Sequence, residues 1–129
     1  MARVTEGILL ASGARTTTQT LGPYANPDSL GDVIGIEVVL DLTAFTTAAS
    51  LTLSIEEWNQ GSGAYRSVLA ATALAANGVK RLLITPVTPT AANATQSGLV
   101  GNQYQVVVTH GNANSHTYSV TAKILRGDC

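Results

Sequence analysis

Apolar and polar residues alternate with period two along much of this chain. In "VIGIEVVLDL", Ile34, Ile36, Val38, Leu40 and Leu42 share one face. Val33, Gly35, Glu37, Val39 and Asp41 share the other. That is the pattern of a half-buried strand. "SLTLSIEEW" repeats it, with Leu51, Leu53 and Ile55 set against Thr52, Ser54 and Glu56. "QYQVVVTH" groups Tyr104, Val106 and Val108, and "HTYSVTAKIL" groups Tyr118, Val120, Ala122 and Ile124. Weaker strand candidates cover residues 4–11, 15–21, 65–72 and 79–85. Their Thr and Val content suits a pleated surface.

Turn signals separate these runs. "NQGSGA" predicts a hairpin loop after Trp58, and Asn77–Gly78 is a further turn signal. "HGNANSH" is expected to close a last hairpin. "VLAATALAA", residues 68–76, is the one helix-like piece; its shortness and the following Asn-Gly favour a strand with small side chains. The expected fold is therefore a single antiparallel β-sandwich spanning residues 1–129, jelly-roll-like, with about eight strands. Two segments lie outside this pattern. "TLGPYANPDSLGD" (residues 20–32) extends an irregular N-terminal arm, and "PVTPTAANATQSGLVGN" (residues 86–102) predicts a long loop. Segments of this length are often functional.

Composition narrows the function. Charged residues make up 12% and the net charge is −1, so the surface is mostly Thr, Ser, Asn, Gln, Gly and Ala. A charge-poor exterior repels other copies weakly and points to a surface covered by partners. The densest basic stretch is the pair Lys80–Arg81, which argues against nucleic-acid binding. One cysteine, Cys129, excludes an internal disulfide. "GILLA" is too short for a signal sequence, and no run approaches a membrane span, so a soluble, unprocessed chain without membrane contact is expected.

Glu56 and Glu57 beside Trp58 pose the one catalytic question. A glycosidase needs two carboxylates aimed at one bond. Neighbours on a strand point to opposite faces, so the pair is read as a solvated strand end, with Arg66 a cross-strand partner. His110 and His116 bracket "GNANS" but lack a third ligand nearby. No nucleophile elbow occurs, "GSG" and "GNAN" read as turns, and "NAT" at Asn93 matches a glycosylation sequon. No catalytic residue, no metal site and no cofactor is assigned. Tyr24, Trp58, Tyr65 and Pro89 are the candidate partner contacts. The same aromatics would serve a sugar-binding module, which is the alternative function, as is a tail- or fibre-associated adsorption protein.

"LTLSIEEWNQGSGAYRSV" and "KRLLITPV" resemble, in texture, the small β-sandwich structural proteins of tailed bacteriophage virions. The resemblance implies a non-enzymatic virion protein that decorates or cements a capsid. It implies assembly into a homo-oligomer, a trimer among its options, and contact with a major capsid protein or another virion protein. The location would be the capsid surface of the virion, after synthesis in the host cytoplasm. No functional residues are carried over.

Overall fold

The computed structural model describes residues 3–87 and 89–127; the Cys129 thiol lies outside them. Among these residues the strands are β1 (Arg3–Arg15), β2 (Gln19–Ala25), β3 (Asp32–Phe45), β4 (Leu51–Asn59), β5 (Ala64–Ala70), β6 (Gly78–Thr85), β7 (Thr95–Ser97), β8 (Gln103–His110) and β9 (His116–Gly127). They form two sheets, ordered β1-β9-β3-β6-β7 and β2-β8-β4-β5. Every neighbouring pair is antiparallel except β6 with the short β7. Successive strands cross from one sheet to the other, apart from β4–β5 and β6–β7. This interleaving makes an all-β sandwich of jelly-roll type.

The strong alternations build the core. Ile36, Val38, Leu40 and Leu42 of β3 face Leu51, Leu53 and Ile55 of β4, and all are essentially fully buried. Leu82, Ile84, Val106, Val108, Tyr118 and Val120 complete the layer. Each such side chain contributes about 1.5–3 kcal/mol on leaving water. One end of β3 departs from simple alternation. Its pairing with β9 shifts register between Val33 and Gly35. Val33 is buried there while Ile34 is only half-buried, because a bulge re-aims the residues around it.

Three sequence expectations need correction. The N-terminal arm is not irregular: residues 3–15 form β1 along β9, and residues 19–25 form β2 along β8. The weaker strand candidate at residues 4–11 is part of β1, whose alternation is broken by bulges between Ile8 and Leu10 and between Leu10 and Gly13. The strand expected over residues 68–76 ends at Ala70. Beyond it, Ala71 and Leu74 hydrogen-bond to Leu53 and Leu51 and bury their side chains while the chain crosses to the other sheet. Residues 111–115 also join β8 and β9 of different sheets, so they form a crossover and not a hairpin.

The strand directions sort the loops to two ends. Residues 16–18, 46–50, 71–77 and 111–115 lie at one. Residues 26–31, 60–63 and the turn out of β6 lie at the other, together with residues 98–102, the start of β1 and the end of β9. We call the second the loop end.

Candidate functional site

The candidate contacts fall in three places. Trp58 stands opposite Tyr65 across the β4–β5 hairpin, ring centroids 5.3 Å apart and nearly edge-on. Tyr24 stands opposite Tyr104 with centroids 5.5 Å apart. Tyr104 pairs with Glu57, the immediate neighbour of Trp58. The two aromatic pairs therefore occupy opposite faces of the same sheet, and they make no common platform. Pro89 is exposed in the turn from β6 to β7, where its carbonyl accepts a hydrogen bond from Thr95 Oγ1 at 2.7 Å.

The two glutamates separate as the alternation requires. Glu56 points outward and accepts from Gln105 Nε2 at 2.7 Å. Glu57 points inward and accepts from the Gly101 backbone N–H at 2.7 Å. Arg66 is opposite Glu57 in the ladder, but the carboxylate is turned to the loop. Val100, next to Gly101, is buried against the core.

Asn26 is a residue that sequence reasoning missed. Its side-chain amide donates to the Val33 and Val100 carbonyls, both at 2.9 Å. Its Oδ1 accepts from Val33 N at 2.8 Å, and its own N–H donates to the Asn102 carbonyl at 2.8 Å. The segments around residues 20–32 and 98–102 are thus fastened to each other. The residues on either side of β7 are fastened as well: Asn93 donates to the Ala70 carbonyl, and Gly98 N–H to the Thr85 carbonyl. Nothing in "YANPD" announces the Asn26 bonds, since one partner, Val100, lies 74 positions away.

Beside this junction is a cavity of about 220 Å³ whose lining includes Leu9, Tyr24, Asp28, Tyr104, Ile124 and Arg126. Arg126 is 5% exposed. It donates from Nη1 to Asp28 Oδ1 at 2.5 Å and from Nε to Thr5 Oγ1 at 3.2 Å. The Arg126 hydrogen bond holds the Asp28 carboxyl below its ordinary pKa. Burial, reinforced by the Asp28 charge, pushes the Tyr104 phenol up to about 12.

The opposite end carries both histidines. His116 is fully buried. Ser50 N–H donates to its Nε2 at 3.1 Å, and its Nδ1 donates to the Asn114 carbonyl at 2.8 Å, which fixes the neutral tautomer. His110 packs edge-on against it at 4.9 Å and bonds through Nε2 to the Tyr118 hydroxyl at 2.8 Å. Burial, then His116 and Arg15, hold the His110 pKa below its ordinary value. Among the described residues, no three His, Cys, Asp or Glu side chains gather as a metal site. No helix among them is long and apolar enough to cross a membrane.

Exposed large apolar side chains are Val4, Ile8, Leu30, Trp58, Val79, Val87 and Leu99. Five of the seven belong to the loop end: Val4, Leu30, Trp58, Val87 and Leu99. Leu99 is 77% exposed although its neighbour Val100 is buried.

No protein-family model matches the chain. No curated protein matches it in sequence. Among solved structures it is similar to one titled "Structure of infectious bursal disease virus Gx strain", with 15% identity and a TM-score of 0.48. The match covers 98% of this chain and 33% of that one, so the chain spans about a third of the other's length.

Proposed function

We propose that this protein is a non-enzymatic structural protein of a virus particle, a decoration or cement subunit on the capsid of a tailed phage. The observation that carries the reading is that Leu30, Val87 and Leu99, all exposed apolar side chains, stand on the loops at one end of the sandwich. Solvated surfaces rarely concentrate such residues without a partner. The loops that present Leu30 and Leu99 are held by Asn26 and Glu57, so the surface is preformed and little ordering cost attends binding. A charge-poor exterior suits close packing in a lattice. The tailed-phage setting rests on the texture of "LTLSIEEWNQGSGAYRSV" and "KRLLITPV". The catalytically suggestive Glu56 and Glu57 are engaged in hydrogen bonds on opposite faces of the sheet.

The test is sedimentation of the purified chain with shells assembled from a capsid protein encoded beside it. Native protein is expected to co-sediment at saturable occupancy. Leu30→Asp and Leu99→Asp should keep the fold and lower that occupancy. Absence of shell binding by the native chain, or full occupancy by the double variant, would refute the reading.

A further inference from the structure

We propose that the cavity bounded by Tyr24, Tyr104, Asp28 and Arg126 binds a single neutral sugar ring. This goes beyond the shell-binding role and does not depend on it. The cavity lies between the two sheets on the side of β1 and β2, walled by Leu9, Tyr24 and Ile124. An apolar wall with a few converging polar groups is the usual make-up of a small-ligand site. Its polar groups are an almost fully buried guanidinium, the carboxylate paired with it, and two phenols.

The ion pair selects the class of ligand. Arg126 and Asp28 compensate each other's charge. An anion would gain nothing net from the guanidinium and would meet the Asp28 carboxylate; a cation faces the reverse. A hydroxyl donates to a carboxylate and accepts from an N–H, so a neutral polyol uses both partners at once. The guanidinium has five N–H donors, and its contacts to Thr5 and Asp28 use only part of that capacity. The C–H face of a pyranose suits the apolar wall. Size sets the length of the ligand. About 220 Å³ is below the range of about 300–1,000 Å³ for drug-sized sites, which allows one ring and not a chain. The Trp58–Tyr65 pair, though aromatic, has no such charged pair beside it in the ladder: Glu56 is bonded to Gln105 and Glu57 faces the other way.

The experiment takes the full-length chain and a panel of free hexoses, deoxyhexoses and N-acetylhexosamines. Saturation-transfer NMR reads binding, and backbone amide shifts locate it. At least one sugar is expected to bind in the millimolar range, as a single-ring ligand with few contacts does. Its amide shifts should gather at residues 24–28, 104 and 124–126. Tyr24→Ala, which removes the wall, and Leu9→Trp, which fills the space, should each weaken binding at least about tenfold. Thermal unfolding checks that each variant folds; should one fail, the shift map of the native chain decides. Silence across the panel at tens of millimolar overturns the proposal. So do shifts gathered at Trp58 and Tyr65, or unchanged affinity in both folded variants.

Discussion

The Glu57 carboxylate accepts the Gly101 N–H at 2.7 Å, and a Cβ built on Gly101 would come within 3.0 Å of the Glu57 carboxyl carbon. The contact joins the rim of β4 to the loop that enters β8, and a side chain at position 101 would have to displace the Glu57 carboxylate. Glu57→Ala should destabilise the fold by about 1–3 kcal/mol, because a backbone N–H loses a charged acceptor. Glu57→Gln keeps an acceptor and should cost less than half as much. Gly101→Ala should behave like Glu57→Ala by pushing the carboxylate away. Denaturant unfolding gives all three. Equal stability of Glu57→Ala and the native chain would show that the bond contributes nothing.

Asn26 fastens the same end from the other side. Its side chain makes three hydrogen bonds to backbone groups of Val33 and Val100. Alanine there leaves two carbonyls and one N–H to find water, at about 1–3 kcal/mol. Asn26→Asp should cost as much, since a carboxylate cannot donate to the two carbonyls. The side-chain bond to Val100 and the backbone bond to Asn102 flank Gly101. Asn26→Ala and Glu57→Ala should therefore be non-additive in a double-mutant cycle. A strictly additive cycle would separate the two anchors.

The contrast between β3 and β1 explains what could be read in the sequence. β3 buries one continuous face, so period two appears in its residues, and only its two bulges against β9, near Ile34 and near Thr43, escape notice. β1 borders one sheet, packs on the core mainly through Leu9 and Leu10, and carries two bulges, so its pattern is broken. β7 has three residues and is held by backbone pairing with β6, which leaves no side-chain signature. The candidate sites are harder still. Asp28 and Arg126 lie 98 positions apart, and nothing local in "NPDS" or "KILRG" announces that they meet. Trp58 and Tyr65, by contrast, face each other across one short loop, and the hairpin signal was enough to pair them.

His110 predicts an acid response. Its Nδ1 is buried without a hydrogen-bond partner among the described residues. Tyr118, His116 and Arg15 surround it, and its folded-state pKa is lowered, first by burial. An unfolded histidine titrates near about 6.5. Below that pH the unfolded chain takes up a proton that the folded chain resists, so stability falls as pH drops from about 6.5 toward the folded pKa. His110→Gln should flatten this part of the melting-temperature profile. The Asp28 contribution is distinct: its lowered pKa confers stability that persists until pH falls below about 4. An acid response in His110→Gln equal to that of the native chain would place the effect elsewhere.

Truncation separates the edge strand from the surface it presents. β1 pairs with β9 from Arg3↔Arg126 to Arg15↔His116, and its Leu9 and Leu10 pack on the core. Arg15 donates to the Tyr118 carbonyl at 2.8 Å and stacks over the Tyr118 ring at 5.0 Å. Removing residues 3–12 strips most of this strand, exposes the edge of β9 and opens the side of the core. An unpaired central strand invites association with other chains. The truncated chain should therefore lose cooperative unfolding and aggregate. Val4→Thr and Ile8→Thr act differently. Both side chains are exposed, at 59% and 71%, and Thr keeps the β preference, so stability should change by less than about 0.5 kcal/mol. Circular dichroism melts and light scattering on the two kinds of variant give the answer. A monomeric truncated chain that melts cooperatively at the native temperature would mean that β1 is an appendage and that the sandwich is complete without it.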